Sequence, residues 1–534
     1  MLSKREKLPK REKSFFVSFY FLRFLHTIKG NEIEKRESKM SIKPQYETYR
    51  YTGEICRLQS QSIVECRLPG SEINGILAVY AKAIPTECSC ADGEARYKGK
   101  LLLTVVYEDG ERKICRAERG AEFFHKAEGS DVTPACFAKV FLRSENVSYR
   151  REGSGLYVSV IIGADVFVYG GKQIEYLVGG EGIVAKTEEV KLCKTVCVSG
   201  ETEGEDEFET DYVGDVLLHS ENAVVTRVSV SVGQLDIEGE INLNVCVLKK
   251  DETVCSYERL IPFRMTVPSE DVFGSVSACA VVNVKSAFLS AGTDEEKGRS
   301  KMTLSYCLSA DCFLYIQDKF AAVSDAFCTA AELTLKTVND RGRYLMNTTK
   351  CVERVSGLSA LSPEIDGEYL LQAAVLPRAE IACKKTERGF EAEGVLQAEV
   401  LLRGQEGGYK ATTLSLPIAF PLDIEGEEAE ADCMVCGLNV RRKKNGETEA
   451  EATVKVCVRA YGTSEWSYVG EAIEGEAYGE NDSAVSVFIP KAGEDLWQVA
   501  KRLSCTPESL QKSNPELEFP VKEGERIFIY RQIE

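Results

Sequence analysis

The stretch KLLLTVVYEDGERKI (residues 100–114) indicates the fold class of this 534-residue chain. An apolar run rich in β-branched and aromatic residues meets a polar turn, and a second extended run follows. The stretches EINLNVCVLKKDETV (240–254) and VLQAEVLLRGQEGGY (395–409) repeat this pattern. A polar turn between two such runs predicts a β-hairpin. Further strand-like runs lie at residues 157–168, 275–284 and 453–458.

Convincing amphipathic helices are scarce before residue 483. Short strands separated by Gly, Asp and Asn turns favour antiparallel sandwiches or barrels, in which one sheet face is buried. We therefore predict a mainly β protein.

The three hairpins belong to a longer internal repeat. Each hairpin follows a strand that we expect to end at a glycine, and a cysteine stands roughly 37–40 residues after that glycine. The landmark pairs are Gly99 and Cys136, Gly239 and Cys279, and Gly394 and Cys433. We predict three tandem β domains at residues 46–182, 183–339 and 340–482, with the three cysteines at equivalent buried positions.

The twenty cysteines have too low a density for a disulfide scaffold, so we interpret them as reduced thiols. Cys433 and Cys436 form a CxxC motif, which would also suit zinc or redox chemistry. No second CxxC or histidine partner lies nearby, and only His26, His125 and His219 occur in the chain. We therefore predict small buried side chains and no metal or cofactor.

The repeat resembles the SPOCS domain, a β-rich module of spore-coat and related proteins in endospore-forming Firmicutes. The resemblance covers over 400 residues and rests on the repeated hairpin and the later strand pair. It implies a β-rich module and identifies no catalytic residues.

The charge balance limits the partners of the protein. With 84 acidic and 66 basic residues the net charge is −18, which repels nucleic-acid phosphates and anionic lipid. We therefore expect no nucleic-acid partner.

The N-terminal residues 1–45 form a basic, Phe-rich extension. The apolar run Phe15–Leu25 is too short to span a bilayer, and no small-residue cleavage site follows it. We expect translation to begin at Met40, or this extension to be disordered. An interfacial anchor and an atypical export signal are the alternatives. We predict no transmembrane span.

The C-terminal residues 484–534 change character after an acidic, Gly-rich linker. Strand-like runs at 485–489 and 526–530 flank two short helical patterns. Asp495 is placed to cap the first helix, and Thr506-Pro507 begins the second. The order of elements predicted is βααβ.

This segment resembles the LysM module along almost its whole length. The resemblance implies a shallow groove that receives N-acetylglucosamine chains of peptidoglycan, lined by two loops. The implied groove residues are Gly493, Glu494, Asp495, Leu496, Asn514, Pro515, Glu516 and Leu517. Glu494, Asp495 and Glu516 would make this groove acidic, which favours a protein partner over a neutral glycan. Trp497 has a competing role as a core side chain.

SPOCS-like repeats followed by one LysM resemble the clostridial spore-coat morphogenetic proteins. The resemblance implies a non-enzymatic scaffold at the forespore surface, in the mother-cell cytoplasm, with the spore-coat morphogenetic ATPase of the coat basement as partner. A peptidoglycan-binding wall or cortex protein is the alternative.

An enzyme is a third interpretation, because acidic groups such as Glu205/Asp206/Glu207 and Glu427/Glu428/Glu430 could serve as glycosidase carboxylates. We expect these groups in solvated loops. The sequence also lacks a GxSxG, a P-loop and a GxGxxG fingerprint.

Overall fold

The structure, a computed structural model, describes most of the chain after residue 41. The described residues are 42–69, 73–152, 155–211, 214–272, 276–294, 299–359, 369–387, 389–443, 447–479 and 485–530. The predictions for residues 1–41 lie outside them. Residues 43–45, which we assigned to the extension, belong to the first strand instead.

The prediction of a mainly β protein is confirmed: antiparallel sheets make up nearly all of the described chain. The first strands are β1 (Lys43–Pro69), β2 (Ile73–Ala91), β3 (Glu94–Asp109), β4 (Ile114–Glu128), β5 (Phe137–Glu152) and β6 (Gly155–Glu181). Then come β7 (Ile183–Asp211), β8 (Asp215–Ser231), β9 (Gln234–Leu248), β10 (Val254–Pro268), β11 (Val276–Asp294) and β12 (Arg299–Cys328).

The remaining elements complete the repeat and add the only two helices among the described residues. They are β13 (Ala331–Ser359), β14 (Tyr369–Thr386), β15 (Gly389–Gly404), β16 (Tyr409–Leu422), β17 (Glu428–Arg442) and β18 (Thr448–Ala477). The C-terminal module, residues 485–530, contains β19 (Val485–Phe488), α1 (Leu496–Arg502), α2 (Pro507–Ser513) and β20 (Ile527–Tyr530).

One pairing pattern occurs three times. In each set of six strands, the first, sixth and fifth form one sheet, and the second, third and fourth form another. We call these sets unit 1 (residues 42–181), unit 2 (183–328) and unit 3 (331–477). The predicted boundary at residues 339 and 340 falls inside β13, because the repeat begins with a long strand that the sequence pattern did not delimit.

Alternation of side chains explains the core of each unit. In β3, Leu101, Leu103 and Val105 are buried, whereas the residues between them face outward or lie at the margin. They pack against Val158 and Val160 of β6, so the two sheets of unit 1 share one apolar interior.

The landmark glycines lie inside strands and do not end them, so that prediction is wrong. Gly99 is paired with Phe123 of β4, and a Cβ on Gly99 would stand 2.4 Å from the phenylalanine ring. Gly239 has the same relation to Phe263. The phenylalanine ring packs over the backbone, in the space that any larger side chain would fill. The glycine is therefore required for this packing and does not end the strand.

The sixth strand of each unit carries a buried tyrosine at an even spacing along the chain. These residues are Tyr169, Tyr315 and Tyr461, and the pattern of burial around them is the same in β6, β12 and β18. A register shift follows each tyrosine at the same distance. The three strands are therefore structurally equivalent, and the interval between these tyrosines is the repeat spacing.

The three landmark cysteines are not equivalent, contrary to prediction. Cys136 precedes β5, Cys279 pairs with Phe313, and Cys433 pairs with Val456. The interval from Phe313 to Val456 is shorter than the repeat spacing. Only Cys279 is fully buried; the other two are partly exposed. Cys136 stands three residues closer to its landmark glycine than Cys279 does, and this difference moves it out of register. In unit 3 the connection between β16 and β17 is shorter than that between β10 and β11, so Cys433 is displaced in the opposite direction.

The long strands of all three units meet in one junction. Tyr49 of β1 stacks on Phe320 of β12 with ring centroids 4.9 Å apart, and Tyr51 contacts Trp466 of β18 edge-on at 6.3 Å. Ile174 of β6 lies in the same apolar cluster. Aromatic packing therefore joins the first strand of unit 1 to the sixth strands of units 2 and 3.

A buried ion pair joins units 1 and 2 elsewhere. Lys82 of β2 lies 2.9 Å from Glu221 of β8, whose side chain is 3% exposed, and His219 also contacts this carboxylate. Burial opposes ionisation of Glu221, but the His219 hydrogen bond and the Lys82 charge lower its pKa to about 2.

Candidate binding site on the C-terminal module

Capping groups define both helices of the C-terminal module, as predicted. The Asp495 carboxylate accepts a hydrogen bond from the Gln498 backbone N–H at 2.7 Å, and the Gln498 side chain accepts one from the Asp495 N–H. Thr506 caps α2 through Ser509, with Pro507 at the first helical position. These caps set the first ends of both helices and the loop before α1.

The loop that holds Gly493–Leu496 is fixed to the chain before β20. The Gly493 N–H donates to the Val521 carbonyl at 2.8 Å, and the Val521 N–H donates to the Glu494 carbonyl at 3.0 Å. Gly493 has a φ of +90°, a left-handed conformation that favours glycine. The first loop of the predicted groove is thus held in place through Val521.

Glu494 does not present a free negative charge, contrary to prediction. Its side chain is buried, with 9% of the residue exposed. One carboxylate oxygen accepts from the Lys491 backbone N–H at 2.9 Å, and the other contacts the Arg502 guanidinium. Glu494 therefore closes the loop before α1, and Arg502 of α1 neutralises its charge.

Asn514 is also structural. Its amide nitrogen donates to the carbonyls of Leu510, at 3.0 Å, and Phe528, at 2.8 Å. Its amide oxygen accepts from the Phe528 N–H at 2.8 Å. The residue is 8% exposed, so it locks the end of α2 to β20 and has little surface to offer a partner.

Four of the eight predicted groove residues remain at the surface. Gly493 and Asp495 are exposed on one loop, and Pro515 and Glu516 on the other. The remaining two, Leu496 and Leu517, are half-buried and pack against the core of the module. The accessible carboxylates are therefore Asp495 and Glu516, and the surface is less acidic than the sequence suggested.

Trp497 attaches the module to unit 2, a role that the sequence analysis missed. Its ring meets Phe327 of β12 edge-on, with centroids 5.3 Å apart, and its indole N–H donates to Asp325 at 2.7 Å. Lys501 contacts the other oxygen of Asp325 at 2.5 Å. Phe327 is 4% exposed and shares a cluster with Val499. The module core thus continues into the middle unit.

The electrostatics of this contact favour an ionised Asp325. Burial raises its pKa, but the hydrogen bonds from Lys501 and Trp497 outweigh that effect, so the pKa lies below its usual value. The sequence signal that could have indicated the contact is the pair Asp325 and Phe327 itself, which has no match at the corresponding positions of units 1 and 3.

The cysteines show no paired or metal-binding arrangement in the described part of the chain. All twenty are free thiols, and no group of three or more His, Cys, Asp or Glu side chains there could hold a metal ion. Burial raises the pKa of Cys433 to about 12 and that of Cys436 to about 11. Both thiols of the CxxC motif are therefore protonated and weakly nucleophilic at neutral pH.

The two acidic groups considered as glycosidase carboxylates do not lie in solvated loops, apart from Glu427 just before β17. Asp206 lies in β7 and pairs with Arg259 of β10 at 3.0 Å. Glu430 lies in β17, where it contacts Arg57 of unit 1 at 2.7 Å. These carboxylates contribute to contacts between strands and between units.

No helix among the described residues is long and apolar enough to cross a membrane. No protein-family model matches the chain, and neither a curated protein nor a solved structure shows significant similarity to it.

Proposed function

We propose that the protein is a non-enzymatic adaptor in spore-coat morphogenesis. In this proposal three SPOCS-like β domains form the body and residues 484–534 are a LysM module. The protein tethers the coat-basement ATPase to the forespore surface, in the mother-cell cytoplasm. The proposal rests on the sequence resemblance and on the arrangement of the C-terminal module.

The main support is the way the module is attached. Its polar contacts to unit 2 run through Trp497 and Lys501, and neither belongs to the predicted groove. Asp495 and Glu516 stay at the surface, and Val521 holds the loop that carries Asp495. A surface held at a fixed position on a large body is suited to recognition, because little ordering entropy is lost on binding.

One observation supports the alternative function, that of a peptidoglycan-binding wall or cortex protein. Arg502 neutralises Glu494, so the loops carry less negative charge than the sequence alone suggests. A neutral N-acetylglucosamine chain would then meet less desolvation cost. The two functions differ in their dependence on Asp495 and Glu516.

The test is a full-length variant with Asp495→Asn and Glu516→Gln. Asparagine retains the helix cap, so the fold is preserved while two charges are lost. We expect binding of the purified coat-basement ATPase to weaken about three- to tenfold, with less dependence on salt. The control variant, Glu270→Gln with Asp271→Asn, removes two exposed carboxylates from unit 2 and should bind normally.

Two results would favour the alternative. One is micromolar binding of an N-acetylglucosamine tetramer, measured by calorimetry, with unchanged ATPase binding in the loop variant. The other is a tagged protein that fails to surround the forespore during sporulation.

A further inference from the structure

A cavity of about 420 Å³ lies where the three units meet. Its walls come from β1 of unit 1, β7 of unit 2, and β13, β18 and the start of β17 of unit 3, with one residue from β6. This volume is in the range of sites for small molecules, about 300–1,000 Å³. None of its lining residues belongs to the C-terminal module.

Two cations of the lining are already neutralised. Arg57 contacts Glu54 and Glu430, both at 2.7 Å. Arg343 contacts Glu430 at 2.9 Å and Glu428 at 3.3 Å. These pairs hold unit 1 against unit 3 and form one wall of the cavity.

Other polar groups of the lining have unused capacity for ion pairs or hydrogen bonds. Lys172 and Arg341 make no ion pair with any described residue, and Arg341 lies in an exposed stretch of β13. Trp466 is 6% exposed, and its indole N–H has no hydrogen-bond acceptor in the described structure. The Glu427 carboxylate accepts from the Thr463 hydroxyl at 2.6 Å and pairs with no described cation.

We infer that this cavity binds a small hydroxylated anion, with a phosphate or carboxylate group on a polar body. Lys172 and Arg341 hold the anionic group, because charge-assisted hydrogen bonds are stronger than neutral ones and neither cation is engaged in an ion pair with a described residue. Trp466 lines the same cavity, so its ring lies close to a bound ligand. Glu427 accepts from a ligand hydroxyl and so distinguishes a hydroxylated anion from a bare one.

Tryptophan fluorescence reports on this site directly. The chain has two tryptophans, so Trp497→Phe leaves Trp466 as the single emitter. We expect glucose 6-phosphate and gluconate to change its emission in a saturable way. Glucose, which lacks the anionic group, should produce no change at equal concentration.

Paired variants identify the ligand contacts. Lys172→Gln with Arg341→Gln should weaken glucose 6-phosphate binding about tenfold or more. Arg50 in unit 1 and Lys191 in unit 2 occupy the position that Arg341 occupies in unit 3. The residues that pair with these three across the sheet follow one another at the repeat spacing. Neither Arg50 nor Lys191 lines the cavity. Arg50→Gln with Lys191→Gln removes the same charge and should leave binding unchanged.

Glu427→Gln should weaken glucose 6-phosphate more than inorganic phosphate, because only glucose 6-phosphate carries the alcohol hydroxyls of a sugar. Each variant is first compared with the parent by thermal unfolding, so that loss of fold is recognised. Absence of a saturable change with both anions up to about 10 mM would overturn the inference. So would equal affinity of the parent and the Lys172/Arg341 variant.

Discussion

The ends of β12 and β18 share one backbone arrangement and carry different side chains. Asp325 and Phe327 of unit 2 correspond to Glu471 and Ile473 of unit 3, because a register shift precedes both pairs at the same place. Glu471 forms an exposed pair with Lys336, and Ile473 is 38% exposed. At the end of β12 the same two positions hold the C-terminal module.

The difference shows how a repeat can acquire a single attachment point. Three strands with equal registers offer three similar ends, and two side chains decide which end is used. An aromatic ring extends the core of the module, and a carboxylate satisfies the Trp497 N–H. Substitutions at matched positions of units 2 and 3 test this comparison.

Phe327→Ala should have the largest effect. Loss of a buried phenylalanine costs about 3–5 kcal/mol, because apolar contacts vanish and a cavity remains. We expect the module to unfold or detach at a lower denaturant concentration, followed by Trp497 fluorescence in a Trp466→Phe background. Ile473→Ala, its matched control in unit 3, should change this transition by less than about 1 kcal/mol.

Asp325→Ala should come second. It removes the acceptor of the Trp497 N–H and the partner of Lys501, and hydrogen bonds to a charged group contribute about 1.5–3 kcal/mol. The same unfolding transition measures the loss. Glu471→Ala removes an exposed ion pair and should cost less than about 1 kcal/mol; equal losses at the two positions would contradict the assigned role of Asp325.

Acidification should reproduce part of the Asp325 effect. The pKa of this carboxyl is lower in the folded protein than its ordinary value of 3.8. Its stabilising contribution is therefore complete above pH 3.8 and is lost as the pH falls through the folded pKa. Module stability should fall more steeply with acid in the parent than in Asp325→Ala, as measured between pH 5 and pH 2.5. Parallel curves would argue against an ionised Asp325.

Lys501→Met should have the smallest effect. Lys501 is partly exposed and water screens its charge, so the pair with Asp325 contributes about 0.2–1 kcal/mol. Methionine keeps the apolar part of the chain. Lys336→Met, the control for the exposed pair in unit 3, should leave the module transition unchanged. A loss as large as that of Asp325→Ala would show that Lys501, not Trp497, dominates the contact.

The sequence predicted the local features of the candidate site and missed its long-range ones. The caps at Asp495 and Thr506 were predictable because a helix cap depends on residues within one turn. The burial of Glu494 was not, since its partner Arg502 enters through the folding of α1 against the loop. The role of Asn514 likewise depends on β20, which lies beyond the next loop.

The sequence alone determined the β character of the chain, its internal repeat and the caps of the two helices. These properties follow from side-chain alternation and from short-range hydrogen bonds, which any stretch of sequence carries within itself. Only the tertiary structure decided the registers of the landmark cysteines, the docking of Trp497 on Asp325 and the cavity lined by Lys172 and Arg341. Each of these joins residues far apart in sequence, and their geometry is fixed by the packing of whole sheets against one another.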